Sequence, residues 1–283
     1  MQFAVDLAPL GEMADPRLLA RLAMAAERSG WDGVSTWDVL ATTMGGAADP
    51  FVALAAVASA TERLRLITSV VVLPRRRPQL VAQAAATLDL LSGGRLVLGI
   101  GAGGDPSDFT AFGESFDAPA RAARLDADAE QIDRWLRGAG EVPVSPPPVQ
   151  APRPPMWIGG AKPGALRRAA RWDGWIAVAT AEDYATMLLS PEDLAAKIAV
   201  IAAERSALDR DGLPFDVALF AHSEPGDEAK VAAYGHAGVT WWLESLSPVR
   251  GSLAALEARI EAGPPDAGRM AESTTANAIG PAG

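Results

Sequence analysis

The sequence of 283 residues has no cysteine and only two histidines, His222 and His236. Without cysteine the chain cannot form a disulfide, bind a metal through thiolate or use a cysteine nucleophile. Two histidines are too few for a histidine-based metal site. We therefore expect no metal, and a cytoplasmic location fits the absence of cysteine.

Long hydrophobic runs and positive charge are also scarce. No apolar run approaches the ~18 residues that a membrane helix needs, and the first residues lack the basic and apolar regions of a signal peptide. Lys and Arg number 25 against 35 Asp and Glu, which gives a formal charge of −10. A polyanion such as DNA binds to a basic face. The sequence therefore predicts no membrane segment and no nucleic-acid partner.

The sequence does contain a regular alternation of strand-like and helical segments. Because parallel strands require helical crossovers, this pattern predicts an α/β fold, a parallel eight-stranded (β/α)8 TIM barrel with its site at the C-terminal ends of the strands. We expect residues 1–262 to form this single domain and residues 263–283 to form a loosely ordered tail. The predicted strands are 3–7, 33–37, 65–72, 95–100, 156–158, 174–178, 215–220 and 239–243. The predicted helices are 16–29, 50–61, 78–91, 120–136, 163–171, 190–207, 227–234 and 253–262.

Two glycine-rich loops follow strands on the expected site face. The stretch 88–104, LDLLSGGRLVLGIGAGG, is typical of a helix end, a tight turn, a strand and a glycine-rich exit loop. A second loop, 159–161, precedes a predicted helix, whose N-terminus would favour a phosphate. Glycine backbones can approach a flat or anionic ligand closely. The alternative is that both loops only turn the chain.

Several segments together resemble the luciferase-like flavin oxidoreductases over about residues 1–262. They are LDLLSGGR at 88–95, LGIGAG at 98–103, GWDGV at 30–34, DPF at 49–51, PPMWIGG at 154–160 and TWWLE at 240–244. The resemblance implies a barrel that binds FMN or the deazaflavin coenzyme F-420, with a non-proline cis peptide at Ser69-Val70. It further implies a homodimer and a separate flavin reductase as partner. The cofactor contacts that we expect are Asp6, Ser69, Val70, Gly101, Ala102, Gly103, Gly159, Gly160 and Ala161.

The chain departs from some members of that family at two positions. Asp38 is followed by Val39 where deazaflavin-dependent dehydrogenases often have histidine, and Gly104 stands where they can have glutamate. The remaining candidates for catalysis are Asp38 as an acid or base, Trp37 as a stacking surface and His222 as a donor to phosphate or substrate. Structural roles for Trp37 and Asp38, as core and loop cap, stay open.

Other polar residues near strand ends have alternative interpretations. The run Arg75-Arg76-Arg77 could meet a phosphate or an acidic cofactor tail, but we favour a solvated loop cluster. Trp242 and Glu244 could contact the cofactor edge or form a structural pair. Asp38 and Glu244 as paired carboxylates would suit a glycoside hydrolase, which the lack of aromatic sugar platforms argues against.

The sequence thus predicts a flavin-dependent oxidoreductase acting on a small organic substrate. It would perform monooxygenation with reduced FMN or hydride transfer with deazaflavin, because the cofactor carries the difficult step. The alternative is a non-catalytic flavin-binding or interaction protein on the same barrel. Substrate choice would depend on the loops 38–49, 105–119 and 180–190, where Met44 and the 109–116 segment suggest an apolar lid.

Overall fold

The computed structural model describes residues 1–40, 46–178 and 186–265. Its strands are β1 Gln2–Leu7, β2 Gly33–Thr36, β3 Arg65–Thr68, β4 Val71–Val72, β5 Leu96–Gly101, β6 Met156–Gly159, β7 Gly174–Ala177, β8 Asp216–Ala221 and β9 Trp241–Leu246. Its helices are α1 Pro16–Arg28, α2 Pro50–Ala60, α3 Pro78–Leu91, α4 Ser107–Thr110, α5 Ala118–Leu136, α6 Pro163–Ala169, α7 Pro191–Ala207, α8 Glu228–His236 and α9 Leu253–Glu261.

All pairings between these strands are parallel, and the sheet closes on itself. The order is β3-β2-β1-β9-β8-β7-β6-β5-β4, with β3 also paired to β5. Because β3 and β4 are two halves of one strand, the nine segments make an eight-stranded barrel. Helices connect the successive strands. The predicted (β/α)8 TIM barrel is confirmed.

The third barrel strand departs from its predicted course. Residues 65–72 are predicted as one strand, but the strand is interrupted between Thr68 and Val71. Ile67 pairs with Val97 whereas Val71 pairs with Ile100, so residues 68–70 lie opposite residues 98 and 99 only. This extra residue makes a β-bulge. The Ser69–Val70 peptide within it is cis, as the family resemblance implies.

The barrel has two apolar cores, one inside the closed sheet and one between the sheet and the surrounding helices. Strand residues alternate in direction, so every second residue faces the barrel axis. The aromatic rings of Trp157 and Trp241 lie 6.0 Å apart in the inner cluster, while the larger outer cluster fills the space between strands and helices. The inner cluster contains Ala4, Ile67, Val97, Trp157, Ile176, Ala218, Phe220, Trp241 and Leu243.

The first half of the 88–104 stretch lies at the N-terminal end of the barrel, opposite the expected site. Asp89 is fully buried and accepts hydrogen bonds from the backbone N–H groups of Val149 and Gln150. The Arg95 guanidinium donates to the carbonyl oxygens of Ala58, Thr61 and Leu64. These two side chains fasten neighbouring segments at the base of the barrel, which is a structural role.

Helix starts follow the capping residues that the sequence offers. The Asp49 carboxylate accepts from the N–H groups of Phe51 and Val52 at the start of α2, and Ser190 accepts from Asp193 at the start of α7. Both caps agree with the sequence pattern, since these side chains satisfy N–H groups that lack a partner within the helix. None of the described helices is long and apolar enough to cross a bilayer.

The bulge of the third strand requires a residue without a side chain beside it. A Cβ on Gly99 would overlap the carbonyl oxygen of Thr68 and lie 2.8 Å from Ile176 Cδ1. Backbone and a buried side chain have little room to move in a packed core. Position 99 therefore accepts only glycine without distorting the barrel.

We expect Gly99→Ala to lower the free energy of unfolding by about 3 kcal/mol or more, because the added methyl overpacks the core. The matched control is Gly104→Ala, where a Cβ meets no atom within 4 Å, and this variant should stay within about 0.5 kcal/mol of wild type. Urea unfolding monitored by circular dichroism measures both. Equal midpoints for the two variants would contradict the packing argument.

Candidate active site at the barrel mouth

Four polar side chains meet inside the barrel at the C-terminal ends of its first three strands. The carboxyl of Asp6, which is fully buried, accepts hydrogen bonds from Ser35 Oγ, from Trp37 Nε1 at 2.6 Å and from Ser69 Oγ at 3.0 Å. Strand register brings the first pair together, since Asp6 lies directly opposite Ser35 across β1 and β2. The site therefore contains a carboxyl group surrounded by neutral donors.

Burial dominates the ionisation of this carboxyl. It raises the pKa of Asp6 to about 7, because the charged form loses its hydration. The hydrogen bonds from Ser35, Trp37 and Ser69 act in the opposite direction without cancelling this effect. No described cationic side chain forms an ion pair with it. Asp6 thus changes its protonation near neutral pH.

The Val70 side chain occupies the space that two glycines leave at neighbouring strand ends. A Cβ on Gly101 would come within 2.6 Å of Val70 Cγ2, and one on Gly159 within 2.7 Å of Val70 Cγ1. Neither glycine has a positive φ. Both lie at the barrel mouth as predicted, but the structure gives them a packing role against Val70.

The loop after β5 is held from its outer side by Arg121 of α5. The Arg121 guanidinium donates to the carbonyl oxygens of Ala102 at 2.9 Å and Gly103 at 2.7 Å, and it stacks on the Phe116 ring at 3.5 Å. In a trans peptide unit the N–H points away from the C=O. The N–H groups of Gly103 and Gly104 therefore face away from Arg121, and neither donates to a described residue.

The second glycine loop is tied to its neighbouring strand. The N–H of Gly160 donates to the carbonyl oxygen of Ile176 at 3.2 Å, and its carbonyl accepts from Trp175 Nε1 at 2.7 Å. Lys197 Nζ lies 3.4 Å from the Ala161 carbonyl oxygen. Because the Gly160 N–H already has an acceptor, it is not available to a phosphate. Other cofactor contacts of Gly159, Gly160 and Ala161 stay a prediction.

Asp38 is held in a buried ion-pair network. Its carboxylate accepts two hydrogen bonds from Arg76, each 2.8 Å long, and one from the Val72 N–H at 2.9 Å. Arg75 lies 3.1 Å from the same carboxylate and 2.7 Å from Asp108. Since these contacts occupy the lone pairs of Asp38, they favour a positioning role over acid–base catalysis.

The interpretation of the arginine run as a solvated cluster is wrong for its first two members. The Arg75 side chain is only 4% exposed and the Arg76 side chain 24% exposed. Arg76 also joins Asp38 to Asp49, the cap of α2. The burial is possible because carboxylates face both guanidinium groups. The two arginines bind the loop after β2, and they are not free to hold a cofactor phosphate.

The polar residues after β8 and β9 form a second network. The fully buried Glu244 accepts from Trp242 Nε1 at 2.9 Å and Ser223 Oγ at 2.6 Å, and Arg250 lies 2.5 Å from it. Of the two roles considered for Trp242 and Glu244, these contacts favour the structural pair. With Asp38 and Glu244 both paired to arginine, the glycoside hydrolase interpretation has no free carboxylate pair.

His222 follows β8 at the barrel mouth, as the sequence predicts. Its Nε2 lies 3.0 Å from Glu224 Oε1, whereas its Nδ1 is buried without a partner among the described residues. Burial, followed by the charge of Arg250, lowers the pKa of His222. The imidazole is therefore neutral at pH 7, and its role as a donor to phosphate or substrate stays a prediction.

Two contributors to the site lie beyond the sequence interpretation. Ser35 reaches Asp6 only through the register of β1 and β2, and Arg121 reaches the glycine loop from a helix 18 residues further along the chain. A serine two residues before the Trp37-Asp38 pair is the only signal that points to the first. Met44 and the first part of the loop 180–190, which we expect to influence substrate choice, lie outside the described residues.

Asp6 should contribute stability that is lost as the pH rises from about 4 to about 7. The pKa of Asp6 is raised from 3.8 to about 7 on folding, so the folded state binds more protons in that interval. Asp6→Asn removes this contribution. The melting temperature of Asp6→Asn, relative to that of wild type, should therefore be higher at pH 8 than at pH 5. A difference between the two proteins that does not change with pH would contradict this.

Asp38→Asn should destabilise the protein by about 3 kcal/mol, because it removes the buried negative charge that Arg75 and Arg76 share. Asp126→Asn, which breaks the more exposed pair with Arg168, serves as control and should cost about 1 kcal/mol or less. Chemical denaturation measures both. An Asp38 variant as stable as wild type would instead support a carboxylate kept for chemistry.

Three solved structures share this fold over most of the chain. Monooxygenase RslO1 from Streptomyces bottropensis is 25% identical, with a TM-score of 0.68 covering 92% of this chain and 80% of its own. A coenzyme F-420 dependent tetrahydromethanopterin reductase from Methanopyrus kandleri is 19% identical, with a TM-score of 0.71 covering 92% and 96%. An F-420-dependent secondary alcohol dehydrogenase, in complex with an F-420-acetone adduct, is 15% identical, with a TM-score of 0.73 covering 86% and 92%.

Sequence comparison gives the family. Two uncharacterised proteins, from Mycobacterium bovis and Mycobacterium tuberculosis, are each 37% identical over 137 residues, which is 45% of this chain. The match covers 47% of each, so the chain spans about half the length of the curated relatives that it matches. The profile of the family described as luciferase-like monooxygenase matches residues 2–279. This confirms the resemblance found in the sequence, and the chain belongs to the luciferase-like monooxygenase family.

Proposed function

We propose that the protein is an oxidoreductase that binds a flavin-type cofactor at the barrel mouth and acts on a small organic substrate. The observation that carries the proposal is the combination of a buried, uncompensated carboxyl at Asp6 with a glycine loop in which the N–H groups of Gly103 and Gly104 have no acceptor among the described residues. A polar, partly unsatisfied mouth on an otherwise apolar barrel is typical of a ligand site. Membership of the family supports the same assignment.

The residues present fit such a cofactor in chemical type. Val70 and Trp37 offer apolar surface to a ring, since both pack against the inner cluster of the barrel. The N–H groups of Gly103 and Gly104 can donate to a carbonyl or an anionic oxygen. When bound, the cofactor supplies two-electron chemistry, as a hydride or through oxygen. The chain's own part is to bind and orient the ring and to control a proton at Asp6.

The choice between FMN and deazaflavin F-420 decides the reaction type. With reduced FMN we propose monooxygenation, and with deazaflavin we propose hydride transfer. The names of structurally similar proteins include a monooxygenase and two F-420-dependent enzymes, so they support both forms. We also propose a homodimer, with a separate flavin reductase as partner if FMN is the cofactor.

A second candidate is a flavin-binding protein without catalytic activity. It is favoured by the network around Asp38, because Arg75 and Arg76 occupy the carboxylate that the sequence named as a candidate acid or base. A protein that retains cofactor but never turns it over would fit this arrangement. Consumption of the reduced cofactor in the presence of oxygen or of small carbonyl compounds separates the two candidates.

Fluorescence titration with FMN and with deazaflavin F-420 tests the binding site. We expect one of them to bind with a dissociation constant in the micromolar range or below, about −8 kcal/mol. Arg121→Met should weaken this affinity about tenfold or more, because the loop loses the donor that holds two of its carbonyl groups. Arg124→Met is the matched control on the same helix, since the Arg124 side chain is 52% exposed and donates to the carbonyl oxygen of Arg76, not to the loop after β5.

Two results would contradict the proposal. Failure of a folded protein to bind either cofactor would exclude the flavoenzyme assignment. Equal affinities for the Arg121 and Arg124 variants would show that the loop between β5 and α4 is not part of the site. Circular dichroism confirms folding of each variant at the temperature of the titration.

A further inference from the structure

We infer that Asp6 takes up a proton from solvent when the cofactor binds, so that its carboxyl is neutral in the complex. This inference rests on the proposed function. Asp6 would then determine whether the site carries a proton, in addition to making the cofactor contact expected of it. The inference follows from the hydrogen-bond geometry, from the charges around the carboxyl and from the effect of a ligand that covers the mouth.

The hydrogen-bond geometry accommodates both protonation states of Asp6. Ser69 Oγ lies 3.0 Å from Asp6 Oδ1 and 3.2 Å from the Thr36 carbonyl oxygen. When the carboxyl is ionised, the Ser69 hydroxyl donates to it. When the carboxyl is protonated, it can donate to Ser69 Oγ while the hydroxyl turns to the Thr36 carbonyl. A proton can therefore be gained or lost by rotation of one hydroxyl group, without movement of heavy atoms.

The first three strands present no charge that would hold Asp6 ionised. Ser35 and Trp37 on β2 and its end are neutral donors, and Ser69 is the neutral donor at the bulge. Asp38, the next residue of the chain, is compensated by its own arginines. An ionised Asp6 would therefore be a buried charge without a counter-charge, which is costly.

The strands on the other side of Asp6 bring no cation to it either. Ser245 of β9 lies opposite Asp6 in register and is neutral. The adjacent Glu244 pairs with Arg250 and Arg259 in the outer network. His222, after β8, has a lowered pKa and is neutral at pH 7. The protonation of Asp6 is therefore governed by burial and by whatever binds above it.

Two effects of a bound flavin-type cofactor favour the neutral form of Asp6. A ring over the mouth excludes water from the region, which disfavours the carboxylate. Any negative charge on the ring or its phosphate repels the carboxylate and disfavours it further. Both effects favour the neutral acid. Binding therefore moves one proton from solvent to the carboxylate, and no electron transfer is involved in this step.

Calorimetric titration in two buffers of different ionisation enthalpy measures this uptake. The experiment uses FMN or deazaflavin F-420, whichever binds, at pH 7 and pH 8. Because the free carboxyl has a pKa of about 7, wild type should take up roughly half a proton more than Asp6→Asn at pH 7 and nearly one more at pH 8. Over the same interval the affinity of wild type should fall by up to about tenfold relative to the variant.

Asp128→Asn is the matched control. Burial also raises the pKa of Asp128, but this residue lies on α5 outside the barrel. The control should keep the uptake of wild type, whereas equal uptake by wild type and Asp6→Asn would overturn the inference. If neither cofactor binds, the proposed function and the inference both fail. Binding without the difference in uptake leaves the proposed function and removes only the inference.

Infrared spectroscopy of the wild type provides a test that needs no variant. At pH 8 the carbonyl stretch of a protonated carboxylic acid should appear when FMN or deazaflavin is added, and it should shift in D2O. Absence of that band in a protein that has bound the cofactor would overturn the inference. This measurement keeps the inference testable if Asp6→Asn does not fold.

Discussion

The structure of the site depends on the packing of the bulged segment 68–70 against glycine residues of the neighbouring strands. Between β3 and β4 the chain carries one residue more than β5 does, and Val70 projects onto the ends of β5 and β6. The barrel closes around this segment only because positions 99, 101 and 159 have no side chain. The same bulge brings Ser69 Oγ to the Asp6 carboxyl. Packing of the barrel wall and the chemistry of its mouth therefore have a common origin.

Asp38 and Asp6, two buried carboxyl groups near the barrel mouth, have opposite kinds of hydrogen-bond partner. Asp38 has charged partners on Arg75 and Arg76, so its carboxylate is held in place. Asp6 has only hydroxyl and indole donors, so burial is the dominant influence on it. A buried charge with arginine partners serves to fix loops, whereas a buried carboxyl without them remains able to exchange a proton. The sequence named Asp38 as a candidate acid or base with a loop-cap role left open, and it named Asp6 as a cofactor contact.

The sequence was sufficient for the fold because alternation of strands and helices is a local pattern. It placed the barrel and most helix boundaries correctly, and the family resemblance supplied the cis bond at Ser69-Val70. The glycines of the mouth are visible in the sequence, but their packing role is not. A Cβ at these positions would clash with Val70, which lies in a segment distant along the chain. Burial of Arg75 could not be foreseen for the same reason: Asp108 lies 33 residues further along the chain.

Arg121 donates to two carbonyl oxygens of the loop after β5, and Arg95 donates to carbonyl oxygens at the base of the barrel. Every residue type carries a carbonyl, so these anchors do not depend on which side chains the loops bear. Ala102 could be replaced without loss of its guanidinium contact, provided that the backbone path is kept. Gly103 could not, because its φ is positive and a Cβ there would lie 2.8 Å from Val72 Cγ1. Exchange of this loop between related barrels would therefore need both the matching arginine and this glycine.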